Sequence, residues 1–146
     1  MRSESELNTI IKNTIIQGGG WAYKIPDPQQ EYSISSVKRP FDGFGIFKGR
    51  PIYWESKFSK CLASFNLQRI EDHQINNLLS IKKLCKDSFV CIIWGVRIKK
   101  GENLVYVFDD IEHIAERRRE RKNFTKKELL TLSSYKIKKG IIENFY

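Results

Sequence analysis

The chain has 146 residues, 40% apolar and 29% charged, with 26 Lys and Arg against 17 Asp and Glu for a net charge of +9. That usage fits one globular domain over 1–146 and excludes a disordered chain; no apolar run approaches the ~20 residues of a membrane span, and the polar start Met1 to Glu6 does not read as a signal peptide. Cys61, Cys85 and Cys91 form no C-x-x-C pair, and with His73 and His113 they build neither a disulfide framework nor a zinc site, so reduced thiols and a cytoplasmic location are expected. The basic balance admits a nucleic-acid partner, an anionic membrane surface or plain solubility, and charge alone does not choose.

Residues 4–16 read as a helix, with Leu7, Ile10, Ile11, Thr14 and Ile15 on one face, Ser3 as N-cap and Gly18 to Gly20 as the stop. At helical pitch Glu4 falls on the side of Leu7 and Ile11, whereas Glu6 points away. Short strands are expected over Trp21 to Ile25, Phe41 to Phe47 and Pro51 to Phe58, with an irregular stretch from Pro26 to Pro40. Trp21, Tyr23 and Trp94 are expected in the core. A helix is expected from His73 to Lys86 and a buried strand from Phe89 to Ile98. A further strand covers Leu104 to Phe108, and a helix capped by Asp109-Asp110 runs through Ile111, Ile114 and Ala115. Thr125 caps a short helix through Leu129 and Leu130, and Tyr135 and Ile137 fall in a tail. This order predicts an α/β or mixed α+β fold.

The chemistry concentrates in Phe41 to Lys57. Lys48-Gly49 is a reasonable two-residue hairpin loop. That register pairs Phe47 with Arg50, Phe44 with Tyr53 and Asp42 with Glu55. The last two carboxylates then share one face with Cβ atoms ~5 Å apart, and Lys57 lies on the same face. Facing carboxylates repel unless compensated, and a hard divalent cation with oxygen ligands compensates them well. Asp42, Glu55 and Lys57 therefore suit phosphodiester hydrolysis. The alternative is a solvated sheet face of surface ion pairs.

Pro40-Phe41-Asp42 with Glu55-Ser56-Lys57 resembles the PD-(D/E)XK nuclease superfamily, and more closely the RecU-like Holliday junction resolvases. The resemblance continues through Ser64-Phe65-Asn66-Leu67 and Asp72-His73-Gln74-Ile75, and covers about residues 20–100. It implies a restriction-endonuclease-like fold, with a central mixed sheet flanked by helices. It also implies a Mg²⁺-dependent endonuclease (Mn²⁺ a substitute) that nicks four-way DNA junctions symmetrically as a homodimer, in a bacterial host or encoded by a phage. Asp42, Glu55 and the Ser56 main-chain carbonyl would hold the metal, with support from Glu4, which otherwise merely favours the helix dipole. Lys57 would position water and stabilise charge, and Gln74 would assist alignment. Lys24, Lys38, Arg39, Lys60 and Arg69, and the basic-run residues Arg117 and Arg118, are the candidates for DNA contact. Family members carry a longer stalk where this chain has only Pro26 to Arg39, and a threonine where it has Pro40. A flap or duplex nuclease of the same superfamily, or a non-catalytic DNA-binding module, are the alternatives.

Overall fold

The computed structural model describes residues 1–27 and 38–145. Among the described residues there are four α-helices: α1 (Glu4–Gln17), α2 (Asp72–Leu84), α3 (Ile111–Arg119) and α4 (Lys126–Leu129). The strands are β1 (Trp21–Lys24), β2 (Gly43–Phe47), β3 (Arg50–Ser59), β4 (Phe89–Lys99), β5 (Glu102–Phe108), β6 (Tyr135–Lys138) and β7 (Ile141–Ile142). They lie side by side in chain order in one seven-stranded sheet. Every neighbouring pair is antiparallel except β3 with β4, which is parallel. The α2 crossover makes that parallel pair possible. The result is the expected mixed sheet flanked by helices.

Local chemistry accounts for the ends. Ser3 accepts the Glu6 N–H at the start of α1, Asp110 accepts the His113 N–H at the start of α3, and Thr125 with Glu128 forms a capping box on α4. Lys48 and Gly49 both take positive φ, 49° and 76°, the pair of left-handed residues that a tight β2–β3 turn requires. Lys139 and Gly140 repeat this at 51° and 74°. The expected tail is therefore a hairpin, and its β7 covers α1: the Ile142 N–H donates to Thr14 Oγ1 at 2.9 Å.

The sheet separates two cores. On one face α1 buries Leu7, Ile11 and Ile15 against Ile52, Trp54 and Ile93. On the other, α2 and α3 bury Ile75, Leu78, Ile111 and Ile114 against Ile92, Trp94 and Tyr106. Strand alternation then assigns the site. Glu55 pairs with Ile92 and Lys57 with Trp94, so both lie on the α2 face.

The aromatic expectation divides. Trp94 is fully buried, but Trp21 is 55% and Tyr23 44% exposed. They sit on the strand at the end of the strand order, on the same face as Phe44 and Tyr53, beyond the reach of α2. Leu84, the last residue of α2, is also exposed, one residue before the cap at Cys85. Residues 28–37, within the irregular stretch expected from Pro26 to Pro40, lie outside the described residues.

Candidate active site

The β2–β3 register is the one expected, running from Phe47↔Arg50 to Gly43↔Trp54. At Asp42 the ladder ends. The Asp42 N–H donates to the Trp54 carbonyl at 3.0 Å, and the side chain turns onto β3. Asp42 Oδ2 accepts the Ser56 N–H at 2.8 Å, the Ser56 hydroxyl, and Asn8 Nδ2 at 3.3 Å. Asn8 is itself fixed by the Trp54 indole N–H at 2.8 Å. A side chain at Gly43 would run into that indole, so glycine after Asp42 lets β2 close onto Trp54. Asp42 Oδ1 receives Arg39 Nη2 at 2.9 Å, and Arg39 also reaches Asp27 at 2.8 Å.

Glu55 is buried beside it. Glu55 Oε1 accepts two hydrogen bonds of 2.7 Å, from Lys57 Nζ and from Gln74 Nε2. Oε2 is buried with no partner among the described residues. Burial pushes the Glu55 carboxyl up to about 7, and the Asp42 charge adds to this, against the pull of Lys57 and Arg39. Gln74 is held from the other side: its Oε1 accepts the Glu71 N–H at 2.9 Å in the capping box of α2. The Ser64-to-Leu67 motif buries Phe65 and Leu67 and caps a short turn with Asn66, which places Arg69. His73 Nε2 lies 2.9 Å from the Arg39 carbonyl and its Nδ1 3.3 Å from Glu71 Oε2.

Among the described residues, the other sequence-predicted side chains are engaged with groups other than Asp42, Glu55 and Lys57, or are exposed. Glu4 Oε1 accepts from Arg69 Nη2 at 3.2 Å and from the Phe58 N–H at 3.4 Å, at the far end of β3. Arg69 is pinned there by the Phe58 carbonyl at 2.8 Å as well. Lys24 Nζ lies 3.5 Å from Ser5 Oγ, and Lys38 pairs with Glu71 at 3.4 Å. Lys60 is exposed just beyond β3. Arg117 and Arg118 turn inward. Arg117 lies over the Phe124 ring at 4.1 Å and pairs with Glu128 at 3.0 Å. Arg118 pairs with Asp72 at 2.6 Å and donates to the Ile70 carbonyl at 2.7 Å.

Among the described residues no three His, Cys, Asp or Glu side chains are grouped so as to hold a metal ion. Two buried carboxylates with one unpartnered oxygen nevertheless fit Mg²⁺, which commonly takes one or two protein carboxylates and fills its shell with water and phosphate oxygens.

The family model for Recombination protein U matches residues 9–144. The chain belongs to this family, RecU. The Holliday junction resolvase RecU of Bacillus subtilis (strain 168) is 30% identical over 125 residues, covering 75% of this chain and 61% of the relative. That of Bacillus pumilus (strain SAFR-032) is 27% identical over 106 residues, covering 63% and 52%. The chain thus spans between half and two thirds of the length of these relatives. The solved structure of Hjc, a Holliday junction resolvase from Archaeoglobus fulgidus, aligns at 8% identity with a TM-score of 0.40, over 79% of this chain and 89% of that one.

Proposed function

We propose that the chain is a single-domain, divalent-metal-dependent DNA endonuclease that acts on four-way junctions as a homodimer. Membership of RecU supports the substrate class. The observation that carries the chemistry is the buried Asp42–Glu55 pair with one unpartnered oxygen and Lys57 on the same face.

Asp42, Glu55 and the Ser56 main-chain carbonyl would hold Mg²⁺. The bound ion supplies Lewis-acid polarisation of the phosphate and a water of lowered pKa. The remaining work belongs to the protein. The Ser56 N–H and hydroxyl and Asn8 hold Asp42 in place. Gln74 fixes the rotamer of Glu55. Lys57 carries its ammonium group at the carboxylate, where it can donate to a non-bridging phosphate oxygen as charge builds there. Arg39 neutralises Asp42 until a cation arrives. Glu4 acts through Arg69, steadying β3 at Phe58, the residue after Lys57. Two symmetric nicks require two such sites, hence the dimer.

The test is cleavage of a four-way junction, a flap and a linear duplex of matched sequence, with Mg²⁺ or EDTA, by the chain and its Asp42→Asn variant. Paired junction nicks that need Mg²⁺ and Asp42 are expected. Preference for flap or duplex would reassign the substrate, and cutting that survives Asp42→Asn would overturn the site.

A further inference from the structure

A second feature lies beyond the end of β3. Arg2, Lys60, Arg97, Lys99 and Lys100 line one surface pocket of about 510 Å³. Lys99 is paired with Glu102 at 3.1 Å. The side chains of Arg2, Lys60, Arg97 and Lys100 make no ion pair among the described residues. Four unpaired cations around one concavity repel each other and raise the local positive potential, an arrangement that an anion relieves.

The fold builds this cluster from three separate segments. The ladder between β4 and β5 slips between Arg97 and Lys99, a bulge that re-aims the end of β4. Ser59 pairs with Val96, which carries Lys60 alongside Arg97. Gly95 leaves room for the Met1 side chain, which a Cβ there would strike at 2.7 Å. Glu6 holds the Arg2 N–H at 2.7 Å. Together these contacts fix the residues before α1 against β4 and bring Arg2 to the pocket.

The pocket's position separates it from the candidate active site. Lys60 follows the end of β3, three residues after Lys57, and the pocket opens at Met1 and Arg2, before α1, rather than on the α2 face that carries Glu55 and Lys57. We propose that the pocket binds backbone phosphates of the DNA substrate away from the cleaved bond, independently of sequence. This rests on the nuclease reading above. The cations there position DNA for Glu55 and Lys57 rather than take part in the chemistry.

The test compares two triple variants with equal charge loss. Arg2→Gln/Lys60→Gln/Lys100→Gln alters the pocket; Lys126→Gln/Lys127→Gln/Lys139→Gln alters other surface lysines. All six residues are exposed, so both variants keep the fold, checked by thermal melting. Junction and duplex binding is titrated against salt in EDTA. Each lost phosphate contact lowers the steepness of log K against log salt by about 0.9, so the pocket variant is expected to lose about 2 to 3 and the control none. Equal slopes in both variants overturn the proposal.

Methylphosphonates scanned along the substrate strands are expected to weaken binding of the unaltered protein several-fold at positions away from the cut, and of the pocket variant little at those positions. Interference equal in both overturns the placement. Binding to phosphatidylglycerol vesicles that needs the pocket, with DNA slopes unchanged, would assign it to a membrane surface and overturn it. If the unaltered chain binds DNA but cuts none of the panel, the nuclease reading fails while the slopes still decide the pocket. If it cuts normally and the slopes agree, the pocket proposal alone fails.

Discussion

Gln74 meets Glu55 through a 2.7 Å hydrogen bond while its own carbonyl is held by the Glu71 N–H, so its amide can turn only its NH₂ toward the carboxylate. A helix cap thereby sets the orientation of a candidate metal ligand. Gln74→Leu removes this support without adding charge. Such supporting contacts are worth about 10- to 100-fold in metal affinity. Mn²⁺ binding to the DNA-free protein, followed by calorimetry, is expected to weaken by about that factor, and unchanged affinity would show that Glu55 is held by Lys57 alone.

Asp42→Ala, Glu55→Ala and Lys57→Ala are each expected to abolish cleavage. Asp42→Ala also strands the Ser56 N–H and Arg39, which should cost about 1–3 kcal/mol of stability. Single-turnover cleavage and urea unfolding measure the two effects separately. Near-normal turnover in any of the three variants refutes its assigned role.

The high Glu55 pKa has a stability consequence. The group ionises near 4.5 in an unfolded chain and near 7 when folded. Between those values the folded protein retains a proton that the unfolded chain has released. Stability of the cation-free protein therefore falls as pH rises from about 4.5 through about 7 and does not return above it. Urea midpoints in EDTA should show this decline, and Glu55→Gln should remove it. A decline of the same size in the variant would place its origin elsewhere.

Arg39 occupies Asp42 Oδ1 and so competes with any cation there. Unit charges ~4 Å apart interact by about 4 kcal/mol near a protein surface, so Arg39→Gln is expected to tighten Mn²⁺ binding by at least about tenfold in the absence of DNA. Weaker binding would mean that Arg39 chiefly positions Asp42.

Arg117 and Arg118 are engaged within the fold, by Phe124 and Glu128 and by Asp72 and the Ile70 carbonyl. Arg118→Ala is expected to cost about 1.5–3 kcal/mol, the worth of a charge-assisted hydrogen bond, with little change in the salt dependence of DNA binding. A loss of salt dependence without a loss of stability would restore Arg118 to the DNA-contacting set.

The hairpin was legible because its parts are local: an X-Gly turn, strict alternation and two carboxylates at fixed offsets. Periodicity likewise exposed α1, α2 and the buried β4. The partners of those side chains were not legible. Asn8 on Asp42 and Glu4 on Arg69 join positions 34 and 65 residues apart, which spacing along one chain does not encode. The basic run at Arg117 and Arg118 drew attention by density, whereas the unpaired cations at Arg2, Lys60, Arg97 and Lys100 come from three segments and converge only after folding. Trp21 and Tyr23 carry core-type side chains, but on the strand at one end of the order they point away from the face that α1 covers, where Ala22 is buried. The C-terminal hairpin had a signal in Lys139-Gly140 between Ile137 and Ile141, the same device as Lys48-Gly49.

Trp21 is the one exposed indole of three, since Trp54 and Trp94 are fully buried. The protein's own fluorescence therefore resolves into an acrylamide-quenchable part from β1 and a shielded part from the two cores. Whatever comes to rest on the β1–β2 face, whether a DNA arm or a second copy of the chain, will register as loss of quenching at Trp21, without any dye or label.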